Sequence, residues 1–317
     1  MADERRPILT HLGRFSDGLV PLLEAAMPGS AFVRASGNGA ATTGSEILVL
    51  LVDDQRGVEG IERALTPAVR WVHVLGAGVD GLDLAAIGDR LVTCSRGAAA
   101  PAIAEFVLAA MLAFEKRIPD SWIGSPPERW GAARLGTLRG RTAGIVGLGA
   151  IGNEVARRTL AFEMRVVGLR RTAAAPETPG IEIIGSLHEL LGEADHVVIA
   201  APATAATHHL LDAAAFAATK PGSHLVNVSR GSLVDQDALL AALDEGRPAM
   251  ASLDVADPEP LPAGHPLYAH PRVRLTPHIS WSSPDTMQRT IAVFADNVRR
   301  YHAGEPLRGL VDAAAGY

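Results

Sequence analysis

The chain has 317 residues and only one cysteine, and nowhere does an uninterrupted apolar run approach the length needed to cross a bilayer. A single thiol excludes an internal disulfide and any cysteine-rich metal site. At the end of the strand-like run Leu91-Val-Thr-Cys94, it reads as a small buried filler. The opening residues, Met1 to Arg6, are not followed by the apolar core of a secretory signal, so a soluble, cytoplasmic protein without a membrane partner is expected. Excess positive charge is also lacking. A formal net charge of −6 argues against a nucleic-acid partner gripped through its phosphates. The 11 histidines are scattered, and the pair His208-His209 has no further ligand at metal-binding spacing, so no metal is expected. Repeats and low-complexity tracts are absent. The length exceeds what most single cores hold and fits two domains.

What is present is a strand, a glycine turn and a helix in succession: Thr142-Ala-Gly-Ile-Val-Gly-Leu-Gly-Ala-Ile-Gly152, then Asn-Glu-Val-Ala-Arg-Arg-Thr-Leu160. Gly147 permits the tight turn, Gly149 lets a pyrophosphate approach the backbone, and Gly152 lets the helix pack closely on the sheet. Phosphates would then meet the N–H groups of a helix start that includes Ala150 and Ile151, where the helix dipole is positive. A purely geometric glycine turn is the alternative, but the apolar strand before it and the Val155, Leu160 and Phe162 pattern after it favour a nucleotide site. The acid that usually ends the next strand and binds both ribose hydroxyls is missing. Met164-Arg-Val-Val-Gly-Leu169 runs instead into Arg170-Arg171-Thr172, two guanidiniums and a hydroxyl suited to a 2′-phosphate. NADP is therefore favoured over NAD, with a solvated basic loop as the alternative.

Strand-like segments alternate with helix-like ones on both sides of this motif, which argues for parallel sheets covered by helices. Before it come Ile8-Leu9, Glu46–Val52, Val69–Leu75 and Leu91–Thr93. After it come Arg165–Val167, Ala194–Ala200, His224–Ser229, Ala249–Val255 and Val273–Leu275. An apolar helix over Ala102–Phe114 is expected to cross between domains, and Pro284–His302 is expected to be helical and to return to the first domain. Substrate would bind between the domains.

Three later segments carry chemistry. Asn227-Val-Ser-Arg-Gly-Ser-Leu-Val-Asp235 puts Arg230 at the end of a parallel strand, where charged residues face the ligand crevice. In Leu253-Asp-Val-Ala-Asp-Pro-Glu-Pro-Leu-Pro262, prolines stiffen a loop holding Asp254, Asp257 and Glu259. Leu275-Thr-Pro-His-Ile-Ser-Trp281 places His278 just after another strand, and histidine exchanges protons near neutrality. Singly, each has a plainer reading: a surface arginine, solvated acids, a structural histidine.

Taken together, with Gly76-Ala-Gly-Val-Asp-Gly-Leu-Asp83 as a substrate loop, these segments resemble the D-isomer-specific 2-hydroxyacid dehydrogenase family over nearly the whole chain. The resemblance implies an α/β fold of two Rossmann-like, doubly wound parallel-sheet domains with the active site in the cleft between them. Residues 1–100, completed by 283–317, would bind substrate, and 101–282 the dinucleotide. It implies a catalytic triad of Arg230, Glu259 and His278, and Asp254 at the nicotinamide carboxamide. Ala77, Gly78 and Arg96 would stand toward substrate. Ala201, Pro202, Thr204, Thr207, Val228, Ser229 and Trp281 would stand around the cofactor. Arg230 would orient a 2-oxo acid, and His278, held as imidazolium by Glu259, would protonate its carbonyl oxygen.

The chain departs from the family at Arg170, at Cys94-Ser95-Arg96 and at its end. The second of these leaves open whether Arg96 forms a further anion site, a helix cap or an interdomain salt bridge. The chain ends soon after its last helix, without the regulatory domain of long phosphoglycerate dehydrogenases. The expected activity is reduction of glyoxylate, hydroxypyruvate or a similar 2-oxo acid to the D-2-hydroxy acid, by a homodimer. Alternatives are a phosphoglycerate dehydrogenase running oxidatively, or a dinucleotide-gated binding protein akin to the C-terminal-binding co-repressors.

Overall fold

The computed structural model describes residues 6–35, 44–52, 61–132, 134–171, 176–313 and 316. The first elements are β1 (Arg6–His11), α1 (Ser16–Ala26), β2 (Ser30–Arg34), β3 (Ile47–Leu50), α2 (Ile61–Ala64), β4 (Trp71–Val74), α3 (Leu84–Ile87) and β5 (Leu91–Cys94). Then come α4 (Ala100–Lys116), β6 (Thr142–Val146), α5 (Ala150–Ala161), β7 (Arg165–Leu169), β8 (Ile181–Ile183), α6 (Leu187–Glu193), β9 (His196–Ile199), α7 (Ala213–Ala218) and β10 (His224–Asn227). The chain closes with α8 (Gln236–Glu245), β11 (Met250–Leu253), α9 (Pro266–Ala269), β12 (Val273–Leu275) and α10 (Thr286–Ala303). It divides into two compact units, residues 1–99 with 283–317 and residues 100–282. Thus α4 lies wholly within the second unit rather than crossing between units, and α10 belongs to the first.

In the first unit five parallel strands lie in the order β2-β1-β3-β4-β5. Alternate strand residues face opposite sides, so Leu9, Leu48, Leu50, Val72 and Val74 pack toward α2 and α3. Ile8, Ile47, Val49 and Trp71 pack on the other side against Leu19 and Leu23 of α1 and Ile291, Phe294 and Val298 of α10. Trp71 is fully buried, stacked on Tyr301 at 5.2 Å. Asp83 caps α3 by accepting from the N–H groups of Ala85 and Ala86.

The second unit holds seven parallel strands in the order β12-β11-β10-β9-β6-β7-β8. The order reverses beside β6, which makes the end of that strand the switch point where doubly wound sheets bind ligands. Gly144 in β6 is required by packing, since a β-carbon there would lie 2.7 Å from Ala194 and Leu190 side chains. Phe162, expected on the apolar face of α5, instead flanks its C-terminus and is exposed, because Glu163 turns into the left-handed region (φ 57°) and ends the helix. Strands β2 and β8, each at a sheet edge, are not among the strand-like segments expected from the sequence. Among the described residues, no helix is long and apolar enough to cross a membrane.

Each unit buries histidine. His73 is enclosed between Thr93 Oγ1 at 2.6 Å from Nδ1 and Ser95 Oγ at 3.0 Å from Nε2. Trp71 Nε1 donates to Thr93 Oγ1, and Ser95 Oγ donates to Thr290 O. In the second unit His196 lies between His224 and Glu115, and His224 reaches Ser252 Oγ. Burial pushes His73 down to about 3 and His224 well below the ordinary histidine value. Both are therefore neutral when folded, whereas the unfolded chain takes up protons below the ordinary value of 6.5. Folding stability must then fall as pH drops from 6.5 toward 3, by up to about 1.4 kcal/mol per pH unit for each such group. His73→Gln should be less stable at neutral pH yet show a shallower acid limb, measured by urea unfolding at a series of pH values. An unchanged slope would show that His73 contributes none of it.

Candidate active site

The glycine turn at the end of β6 is built for close approach on one side only. Gly147 has φ 99°, and a β-carbon on it would come within 2.6 Å of the Ala201 backbone nitrogen. Gly152 lies against Gly147 O, which an added β-carbon would meet at 2.0 Å. Those two glycines serve the fold. Gly149 does not, since its φ of −81° is open to any residue and an added β-carbon would meet nothing within 4 Å. No side chain caps α5 at Gly149. An open space in front of uncapped helix N–H groups suits a pyrophosphate, so the residues present fit a dinucleotide.

Asn153, absent from the sequence reading, lies beneath this turn. It is 8 % exposed, and its Nδ2 donates to Leu148 O at 2.9 Å and Gly149 O at 3.0 Å. Its one signal in the sequence is a poor helix former inside a helix, directly after the glycines.

Arg230, Glu259 and His278 come from the ends of β10, β11 and β12 and all lie in the second unit. His278 Nδ1 is 2.8 Å from Glu259 Oε2, and the other carboxylate oxygen of Glu259 accepts from Ala256 N at 2.9 Å. Burial alone would raise the Glu259 carboxyl. The hydrogen bonds from His278 and Ala256 and the charges of His278 and Arg230 outweigh it and hold the carboxyl below its ordinary range.

Two devices set this arrangement. Gly231 presses on the loop that carries Glu259, so closely that a β-carbon would lie 2.0 Å from the Ala256 carbonyl carbon. Asn227 braces the Arg230 turn, donating from Nδ2 to Arg230 O at 2.9 Å and accepting from Ser229 N at 3.1 Å. Ser229 Oγ donates in turn to Ala201 O.

His278 sits in the left-handed region at φ 54°, a conformation costing on the order of 1 kcal/mol or more that the surroundings must impose. Asp254 imposes it. The residue is 1 % exposed, and its carboxylate accepts from Thr276 Oγ1 at 2.6 Å, Ile279 N at 2.9 Å and Ser280 N at 2.8 Å, while Asp254 O accepts from His278 N at 2.8 Å. Both carboxylate oxygens of Asp254 are thus engaged in positioning the histidine turn. Trp281 Nε1 closes the turn by donating to His278 O at 2.9 Å.

The other expected residues divide between the units. Ala201 and Val228 are buried, and Thr207 Oγ1 donates to Pro202 O and accepts from Thr204 N, ordering the loop after β9. Arg170, half-buried, and Arg171, exposed, follow β7 directly, while Thr172 lies outside the described residues. In the first unit, Ala77 O accepts from Cys94 Sγ at 3.3 Å, and Ser95 N donates to Val74 O and Gly76 O, which ties the Gly76–Gly78 loop to the end of β5. Burial raises the Cys94 thiol, opposed by the neighbouring Arg96 guanidinium, and Arg96 itself is exposed. Among the described residues, no group of His, Cys, Asp and Glu could hold a metal ion.

A doubly wound sheet with a glycine turn at its switch point, and a histidine–carboxylate pair beside an arginine at the same strand ends, define a dinucleotide-binding domain of the dehydrogenase type. Residues 108–280 match the family described as D-isomer specific 2-hydroxyacid dehydrogenase, NAD binding domain, and the chain belongs to that family. It is 35 % identical to a glyoxylate reductase from Korarchaeum cryptofilum over 84 % of this chain and 82 % of that one. It is 31 % identical to a D-3-phosphoglycerate dehydrogenase from Methanocaldococcus jannaschii over 75 % of this chain but 46 % of that one, spanning about half the length of that relative. A D-isomer specific 2-hydroxyacid dehydrogenase from Xanthobacter autotrophicus Py2, solved in complex with NADPH and MES, is 30 % identical, with TM-score 0.84 over 99 % of this chain and 100 % of that one.

The contrast between glycines is testable. Gly149→Ala should keep the fold, at a cost of at most about 1 kcal/mol, while weakening dinucleotide binding at least about tenfold by filling the space in front of the helix. Gly231→Ala should instead lose several kcal/mol of stability, about what overpacking of a rigid contact costs. Thermal melts and calorimetric titration with NADPH and NADH would separate the two. Undiminished binding in a folded Gly149→Ala protein would remove the turn from the nucleotide site.

Proposed function

We propose that the chain reduces small 2-oxo acids, of the glyoxylate or hydroxypyruvate kind, to D-2-hydroxy acids, with NADPH favoured over NADH. The observation that carries this reading is the 2.8 Å pairing of His278 Nδ1 with a Glu259 carboxyl held ionised beside Arg230. The glycine turn and the N–H groups at Gly149, Ala150 and Ile151 would hold the pyrophosphate, Arg170 and Arg171 the 2′-phosphate, and Ala201, Pro202, Thr207, Val228, Ser229, Asp254 and Trp281 the remainder of the cofactor. When bound, the nicotinamide supplies the hydride. Arg230 orients the substrate by its carboxylate and carbonyl oxygen and stabilises negative charge developing on the latter. Ala77, Gly78 and Arg96 are further proposed substrate contacts. Because Nδ1 is committed to Glu259, the proton passed to the carbonyl oxygen is assigned to Nε2 of His278. In the oxidative direction the same nitrogen takes it back.

Exposed Trp122, Ile123 and Trp130, which are 72, 58 and 81 % accessible, support the reading as a homodimer, with this segment covered by a second copy. Initial rates with NADPH and NADH against a panel of 2-oxo acids, and with 3-phosphoglycerate in the oxidative direction, test the activity and name the substrate. Absence of turnover with every acid, despite tight dinucleotide binding, would favour a binding protein instead.

Reduction needs protonated His278, so kcat/KM should fall as pH rises through the histidine's pKa, and oxidation should show the opposite limb. Glu259 favours the imidazolium. Glu259→Gln should therefore move the reductive limb to lower pH, and His278→Gln should lower kcat by roughly 10²–10⁴. An unmoved limb in Glu259→Gln would detach that residue from the proton transfer.

Arg170→Asp should turn the cofactor preference toward NADH, since a lost charge-assisted hydrogen bond to phosphate costs about 10- to 100-fold in affinity. An unchanged NADPH-to-NADH ratio of kcat/KM would refute the 2′-phosphate pocket.

A further inference from the structure

Four of the hydrogen bonds made by Asn153 join the glycine turn to the segment at Thr178. Its side-chain Nδ2 donates to Leu148 O and Gly149 O, at 2.9 and 3.0 Å. Its Oδ1 accepts from Thr178 N at 3.2 Å, and its backbone oxygen accepts from Thr178 Oγ1 at 3.4 Å. The residue is 8 % exposed, and the amide orientation is unambiguous because one end faces two carbonyls and the other an N–H group. Asparagine is a poor helix former, and at this position in α5 its side chain bonds both back to the turn before the helix and outward to Thr178.

In a planar trans peptide the C=O and N–H groups point in opposite directions. The Leu148 carbonyl shares its peptide with the Gly149 N–H, and the Gly149 carbonyl shares its own with the Ala150 N–H. Gly149 O also accepts from Asn153 N at 2.9 Å, the first bond of the helix, so Nδ2 reinforces that carbonyl and extends the same inward hold to Leu148 O, which turns both N–H groups outward, into the open space in front of Gly149. At the other end of the amide, Thr178, seven residues after Arg171 in sequence, is tied to the same side chain.

We propose that Asn153 is a positioning residue that presets the pyrophosphate donors through its side chain and, through its side-chain and backbone bonds to Thr178, couples them to the segment after Arg171, so that one residue sets both affinity and cofactor discrimination. The inference rests on the dinucleotide reading of this site and names the residue that organises it. Arg230, Glu259 and His278 lie outside these hydrogen bonds, so proton transfer is untouched.

The test uses ADP-ribose and 2′-phospho-ADP-ribose, which lack the nicotinamide, titrated calorimetrically into the full chain. Asn153→Ala should weaken both by about tenfold or more, roughly the value of two lost hydrogen bonds, and should move the ratio of their affinities several-fold toward one. At saturating cofactor its kcat and the pH of its reductive limb should match the unaltered protein. Asn153→Asp should weaken both further, because a carboxylate faces two carbonyls and a bound pyrophosphate. Thr178→Val keeps the backbone bond and loses the hydroxyl, so the ratio should shift while ADP-ribose affinity holds, and Thr178→Ser should restore the ratio. Should Asn153→Ala fail to fold, the Thr178 pair decides alone. Wild-type affinities and ratio in a folded Asn153→Ala protein, or an unshifted ratio in Thr178→Val, would overturn the proposal. Failure of the unaltered protein to bind either compound would instead overturn the dinucleotide reading beneath it.

Discussion

The buried carboxylate of Asp254 is the constraint on which the reacting geometry depends. A charged group withdrawn from water is costly unless donors surround it, and here three donors from residues 276–280 converge on its two oxygens. Satisfying the carboxylate and shaping the turn are thus one event. The turn in turn compels His278 into a backbone conformation it would not choose alone, and from there its imidazole reaches Glu259. Glu259 is fixed independently by Ala256 N, and the loop around Ala256 is fixed by contact with Gly231, the neighbour of Arg230. Each of the three side chains is located by backbone packing or by a buried acceptor.

The sheet explains why residues so far apart in sequence share one edge. In parallel strands every carboxyl end faces the same way, and β6, β10, β11 and β12 deliver the glycine turn, Arg230, Asp254 with Glu259, and His278 in spatial order along that edge. The amino ends of β9 and β10 carry His196 and His224, enclosed with Glu115. Ligand chemistry and buried histidines are therefore segregated to opposite ends of the same strands.

Most of this architecture is legible in the sequence because it rests on local signals. Apolar runs of four to six residues mark the central strands, glycines mark the turn, and Arg230, Glu259 and His278 each stand just past a strand. The strands β2 and β8 escape because they lie at sheet edges and are only partly buried, where burial on both faces does not enforce an apolar run. Asn153, and the bracing roles of Asp254 and Asn227, escape for a different reason: their meaning lies in partners brought close by folding. Asp254 looks like one solvated acid among three until Thr276, Ile279 and Ser280 are seen around it. His73 is equally opaque, since its neighbours Thr93 and Ser95 come from the next strand and the turn after it.

The placement of the four tryptophans has an optical consequence. Trp71, in the first unit, is fully buried and stacked on Tyr301, whereas Trp122, Trp130 and Trp281, in the second, are exposed. Indole emission lies at shorter wavelength in apolar surroundings than in water. In a single copy of the chain the blue side of the emission band therefore reports on the first unit through one chromophore and the red side on the second, and covering of Trp122 and Trp130 by a second copy would move their share toward the blue. A denaturant titration followed at the two edges of the band distinguishes one cooperative transition from two, without labels or substitutions.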